Sequence, residues 1–308
     1  MAPLQFGFIM PVDFRRGELA ADHVNKVNRF LERITGQFES AWTIDHLQFD
    51  DMNVLEALTS VSYFSALHSR LQFGNTVICQ SFRNPALLAK MAATLQFLSG
   101  GRFILGIGAG WHEEEYRAYG YDFPPNAVRV EQLEEALRIV RAMWSGEAVT
   151  YEGKHYRVHE ARCEPHPDPA PPIIVGGMKP RMLRLAARYA DGWDISSSGL
   201  GRYERVAREF ERACAEVGRG AATVRRSWSG GLACATAQGA AEALASDRFS
   251  AQAPEDDFGF VGTPEQIVRQ MRTFVGLGVQ RFILDFADFP DTTGLELMLN
   301  EVLPAVQQ

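Results

Sequence analysis

The chain is 308 residues long, 46% hydrophobic, and carries a formal charge of −7. That length is large for one sandwich and ordinary for one (β/α)8 barrel. An acidic chain with scattered Lys and Arg offers no basic stripe for nucleic acid. Its four cysteines, Cys79, Cys163, Cys214 and Cys234, form no Cys-x-x-Cys pair, which argues against a zinc site or a disulfide framework. Residues 1–6 lack the basic and apolar runs of a secretory signal. No apolar stretch approaches the ~18 residues of a membrane span. The expectation is a reduced, soluble, cytoplasmic protein.

Residues 4–10 read as a first strand. Leu19, Val24, Val27, Phe30, Leu31 and Ile34 recur at helical spacing and predict a helix over 19–37. A second strand, 40–44, runs into Asp45-His46-Leu47. A helix over 54–68 and a strand over 70–79 follow. Asn84-Pro85 then opens a helix to about residue 98, with Asn as cap and Pro at the first position. The strand over 102–107 exits through Gly106, Gly108 and Gly110 to Trp111. This spacing is not the dinucleotide fingerprint Gly-x-Gly-x-x-Gly, but it lets a backbone approach a flat ligand closely.

A helix over 129–144, an inserted hairpin over 147–158 and a Pro-rich connector follow. The fifth strand, 173–175, leads through Gly176-Gly177-Met178-Lys179-Pro180-Arg181 into a helix ending near residue 189. Next come a strand over 192–195, a helix over 202–217, and a strand over 224–234 interrupted at Gly230-Gly231. Residues 235–259 are weakly patterned. Thr263-Pro264-Glu265-Gln266 has the form of a capping box, and Gly278 stops the helix it starts. A strand over 280–286 and a helix over 294–306 complete the chain. Eight strand–helix units predict a single-domain (β/α)8 barrel across 1–308, with an open doubly wound sheet as the alternative.

In such a barrel, chemistry collects where strands end. His46 is the acid/base candidate, with Asp45 beside it to orient the ring. Gly176 to Arg181 combines a helix start with two cations and is suited to a phosphate. Glu113, Glu114 and Glu115 read as solvated acids at a helix start rather than a metal site, because consecutive residues do not converge on one ion. Trp42, Trp111 and Trp193 fall near strand ends, either walling a flat ring or filling core. The remaining histidines, His112 among them, read as structural or solvent-facing. Residues 235–259 follow the seventh strand and are expected to form a mobile lid.

Taken together, these residues resemble the luciferase-like monooxygenase family over nearly the whole chain. The match rests on Asp45-His46-Leu47, Ser81-Phe82-Arg83-Asn84-Pro85, Ser99-Gly100-Gly101-Arg102 and Gly108-Ala109-Gly110-Trp111 with Glu115-Tyr116. Tyr151-Glu152-Gly153, Ile174-Val175-Gly176-Gly177, Ala190-Asp191-Gly192-Trp193 and Gly262-Thr263-Pro264-Glu265-Gln266 extend it. The stretch from Gly110 to Tyr121 looks most like the F420-dependent oxidoreductase branch. The resemblance implies a TIM barrel holding the deazaflavin F420, or alternatively reduced FMN, at the strand C-termini. It implies a catalytic histidine at His46 and a non-prolyl cis peptide at Thr76-Val77 behind the ring. It also implies a phosphate-side loop at Gly176, Gly177, Met178, Lys179 and Arg181, and a homodimer packed through the second and third helices.

Two departures accompany the match. Ala109 stands where bacterial luciferase carries a phosphate-binding arginine. Trp111 stands where F420-dependent glucose-6-phosphate dehydrogenases carry a catalytic glutamate, and Asp50 replaces their aromatic four residues after the histidine. The expected activity is F420-dependent hydride transfer to or from a small organic substrate. The alternatives are an FMNH2-dependent monooxygenase and a flavin-binding barrel without chemistry.

Overall fold

Eight parallel strands carry the architecture: β1 (Gln5–Ile9), β2 (Ser40–Thr43), β3 (Gln72–Asn75), β4 (Phe103–Gly108), β5 (Ile173–Gly176), β6 (Gly192–Ser196), β7 (Arg225–Cys234) and β8 (Arg281–Phe286). Each pairs with the next. β8 pairs back onto β1, with Phe6 opposite Phe282, so the sheet closes and the open-sheet alternative is excluded. The computed structural model describes residues 3–49, 52–249 and 259–308.

Around the barrel lie α1 (Ala20–Ile34), α2 (Ala57–Leu67), α3 (Pro85–Ser99), α4 (Glu113–Ala118), α5 (Asn126–Met143), α6 (Pro180–Tyr189), α7 (Leu200–Glu216), α8 (Gln238–Phe249) and α9 (Pro264–Gly276). The helix predicted over 294–306 is α10 (Thr293–Leu297), a π-turn at Met298–Val302 and α11 (Leu303–Gln307). Local chemistry sets several of these boundaries. Asn84 accepts from the backbone N–H groups of Ala86 and Leu87, and Pro85 occupies the first turn of α3. The Thr263–Gln266 capping box forms at the start of α9.

The strands are largely buried on both faces because both are covered, although Ser40, Asn75, Asp194, Ser229 and Arg281 among them are polar. Outward-facing Phe8 stacks on Phe30 of α1 at 4.5 Å, and Trp193 stacks on Phe210 of α7 at 4.5 Å. Inside, Trp42 packs with Ile104, Ile174 and Ile283. Gly7 and Gly74 on the flanking strands make room for that indole. A Cβ on either would lie 2.5 or 2.6 Å from the Trp42 ring.

Several expectations change. Trp42 and Trp193 are fully buried core, whereas Trp111 is 66% exposed. The third predicted strand is split into β3 and a short strand Ile78–Cys79, separated by a cis Thr76–Val77 peptide. β7 runs unbroken through Gly230 and Gly231, because both remain paired to β8. The inserted hairpin spans Val149–Glu152 and Arg157–Ala161. Most of the predicted lid that is described is the ordered helix α8, which packs against β7 and the added strand Gly259–Gly262. Residues 250–258 of that segment, and Asp50, lie outside the described residues. Among the described residues, no helix is long and apolar enough to cross a membrane.

Candidate active site

The strand C-termini surround a cavity of about 1190 Å³. This exceeds the usual ~300–1,000 Å³ of a small-molecule pocket, leaving room for a flat ring and a second reactant. Asp45, His46, Thr76, Val77, Gly108, Ala109, Trp111, Gly176, Gly177, Met178, Lys179 and Arg181 all line it. The barrel brings these sequence-distant loops together because each follows a parallel strand at the same end.

The floor is built at the junction of β3, β4 and β5. Val77 projects between the ends of β4 and β5. A Cβ on Gly108 would stand 2.7 Å from Val77 Cγ2, and one on Gly176 would stand 2.8 Å from Val77 Cγ1. Only glycine admits this close approach, so backbone and one blunt aliphatic group form the surface. That surface fits the face of a flat tricyclic ring. Beneath it, Thr76 donates to Asp194 Oδ2 at 3.2 Å and Ser229 donates to the same oxygen at 2.7 Å. Burial pushes the Asp194 carboxyl up to about 6.

The β5 loop forms one wall. Trp193 Nε1 donates to the Gly177 carbonyl at 2.8 Å and fixes the turn into α6. Lys179 and Arg181 flank the first residue of α6, Pro180, and both are exposed. Arg181 donates to the Ala127 carbonyl at 3.3 Å and lies 3.6 Å from Glu131. Among the described residues, no carboxylate lies within ion-pair distance of Lys179. A helix start with two adjacent cations fits a phosphate group.

The opposite wall carries His46. Phe49 packs on its ring at 4.3 Å between centroids, Trp111 meets it edge-on at 5.7 Å, and His112 lies 6.0 Å away. His112 therefore belongs to this aromatic cluster rather than to the solvent. Met10, Pro11 and Met52 continue the apolar surface, while Asp13, Arg248 and Asp285 supply its charges. Arg248 lies 3.8 Å from Asp285, so the C-terminal end of α8 reaches the cavity. Burial pushes the Asp285 carboxyl up to about 6.

The orienting role expected of Asp45 is not what the structure shows. Its carboxylate receives two bonds from Arg83, at 2.7 and 2.9 Å, and the Cys79 backbone N–H at 2.8 Å. Arg83 also reaches Glu56, which caps α2. The carboxylate beside the imidazole is Glu115. It lies 3.1 Å from His46 Nδ1 and is only 2% exposed, so it is not the solvated acid its neighbours suggested. Its next neighbour, Tyr116, is also buried and meets Cys79 Sγ at 2.9 Å. Burial pushes the Cys79 thiol up to about 11, which keeps it neutral. The signal for Glu115 was its pairing with Tyr116 at the start of an amphipathic turn. Asp285 carried a weaker one, an acidic residue near the C-terminal end of a barrel strand.

A closed parallel barrel with a cofactor-sized cavity at its strand C-termini defines a TIM-barrel protein of enzyme-like design. The luciferase-like monooxygenase model matches residues 5–259, and the chain belongs to that family. Relatives include an F420-dependent glucose-6-phosphate dehydrogenase of Kineococcus radiotolerans, 36% identical over 65% of this chain and 58% of the relative. A phthiodiolone/phenolphthiodiolone dimycocerosates ketoreductase of Mycobacterium bovis is 37% identical over 66% of this chain and 50% of the relative. The chain thus spans about half the length of the curated relatives it matches. Among solved structures, an F420-dependent secondary alcohol dehydrogenase in complex with an F420-acetone adduct aligns with a TM-score of 0.86. That alignment covers 99% of this chain and 100% of the other at 21% identity. A monooxygenase from Streptomyces bottropensis aligns with a TM-score of 0.84, over 98% of this chain and 99% of the other, also at 21% identity. At that identity the structural likeness speaks for the fold alone.

Proposed function

We propose that this protein is an F420-dependent oxidoreductase that interconverts a small apolar alcohol and its carbonyl compound. One observation carries the reading: an imidazole faces a glycine-and-valine floor across a cavity whose far wall bears a helix start and two cations. The names of the relatives, F420-dependent dehydrogenases among them, support the same chemistry. Bound F420 supplies the two-electron hydride acceptor or donor. Gly108, Ala109 and Gly176, with Val77 behind them, hold the ring, while Gly177, Met178, Lys179 and Arg181 hold the phosphate side. His46 takes the hydroxyl proton during oxidation and returns it during reduction. Phe49, Met52 and Trp111 favour an apolar substrate body.

Titration with F420 and then FMN tests the reading. F420 is expected to quench or shift with micromolar or better affinity, and absence of F420 binding overturns the proposal. FMN binding with oxygen-dependent turnover would instead favour the monooxygenase alternative. His46→Asn is expected to keep F420 affinity and lower kcat by about 10²–10⁴. We further propose a homodimer through α2 and α3. Tyr63, Leu67, Leu87, Phe97 and Leu98 on those helices are 52 to 74% exposed, an apolar set that a second copy would cover.

A further inference from the structure

We infer that Glu115 is the positioning residue for His46, holding the imidazole as its Nδ1–H tautomer so that Nε2 is the working base. The inference rests on the proposed function for His46 as the acid/base group, but its structural half stands alone. Glu115 is the third residue of α4, and its side chain turns inward while Glu113 and Glu114 stay exposed. Its two oxygens have separate tasks. Oε2 accepts the Leu47 backbone N–H at 2.8 Å, and Oε1 lies 3.1 Å from His46 Nδ1.

A carboxylate accepts hydrogen bonds and cannot donate them. The contact with Oε1 therefore requires the proton on Nδ1. A neutral imidazole carries one ring proton, so Nε2 is left with its lone pair. Among the described residues, no group bonds Nε2. Asp45 cannot substitute for Glu115, because Arg83 and the Cys79 N–H occupy its carboxylate. The ring has little freedom to turn, with Phe49 at 4.3 Å between centroids and Trp111 at its edge.

In alcohol oxidation, the substrate O–H bond breaks and an N–H bond forms at Nε2. The hydrogen on the carbinol carbon leaves with its electron pair to the F420 named above. The imidazolium so formed keeps its other N–H on the Glu115 carboxylate, which holds the ring in place through the transfer. Because Glu115 also grips the Leu47 backbone, α4 and the loop after β2 hold His46 as one unit.

The first test needs neither cofactor nor substrate. In 15N-labelled protein at mildly alkaline pH, His46 is expected to show a protonated Nδ1 and a bare Nε2. A predominant Nε2–H tautomer overturns the inference. The second test is Glu115→Gln, which keeps the side-chain size and removes the charge. The variant is expected to keep F420 affinity by fluorescence titration and to lose about 10–100-fold in kcat/KM. Gln offers one oxygen to the two N–H donors that Glu115 serves, so the variant's His46 is expected to lose its predominant Nδ1–H form in the same 15N spectrum. An unchanged tautomer with unchanged kcat/KM overturns the inference. If Glu115→Gln does not fold, the wild-type spectrum decides. Failure of F420 to bind sinks the proposed function and leaves the tautomer result standing.

Discussion

The carboxylate of Asp45 is fully enclosed, and the guanidinium that meets it is 9% exposed. Such a pair stabilises only while both members are present, because one alone leaves a buried charge without its counter-ion. Asp45→Ala is therefore expected to cost about 3–5 kcal/mol in urea denaturation. A loss well below 1 kcal/mol would show that Arg83 is satisfied by Glu56 alone. The same variant should leave the His46 tautomer in place, in contrast to Glu115→Gln. The sequence offered Asp45 as the partner of His46 because they are adjacent in the chain. Adjacent residues after a strand end point different ways, and Asp45 turns toward the loop before α3 instead. Glu115-Tyr116 was visible as a motif, but its role toward His46 was not, since the two lie 69 positions apart and the two acids before it are solvated.

The ends of β4 and β5 are neighbours in the sheet, and the turn after β3 reaches across both. Gly176→Ala places a methyl 2.8 Å from Val77 Cγ1, so Val77 must shift in the cavity floor. The variant is expected to fold and to bind F420 at least ~10-fold more weakly, as overpacking of about 1–3 kcal/mol falls on the ring's seat. Unchanged affinity by titration would place the ring elsewhere. At this scale, much was readable in advance. Asn84-Pro85 and Thr263-Pro264-Glu265-Gln266 mark helix starts because caps act on their immediate neighbours. The alternation of strands and helices likewise announced the barrel. The helix α8 was harder to see, because Gln238–Phe249 has no sustained apolar stripe and buries only Ala241 and Ala245.

For the molecule as a whole, burial of carboxyls within the barrel couples stability to pH. The Asp194 carboxyl is pushed from 3.8 up to about 6, so the fold favours its neutral form. Its contribution is fully present below about pH 4 and is lost as pH rises through about 6, a change of order 3 kcal/mol. Asp194→Asn is expected to flatten that decline in denaturation midpoints between about pH 4 and 7. A slope equal to wild type would assign the decline to other groups. The proposed dimer is checked by sedimentation, where Phe97→Lys with Leu98→Lys is expected to yield monomers that keep their barrel. Of the five indoles, Trp42, Trp144, Trp193 and Trp228 are buried, and Trp111 alone stands open at the cavity rim. Nature has thereby left a single optical window beside the reacting groups. Emission from that one ring would shift as a guest molecule displaces water from the mouth, letting occupancy be followed in unlabelled protein while the four interior rings give a constant background.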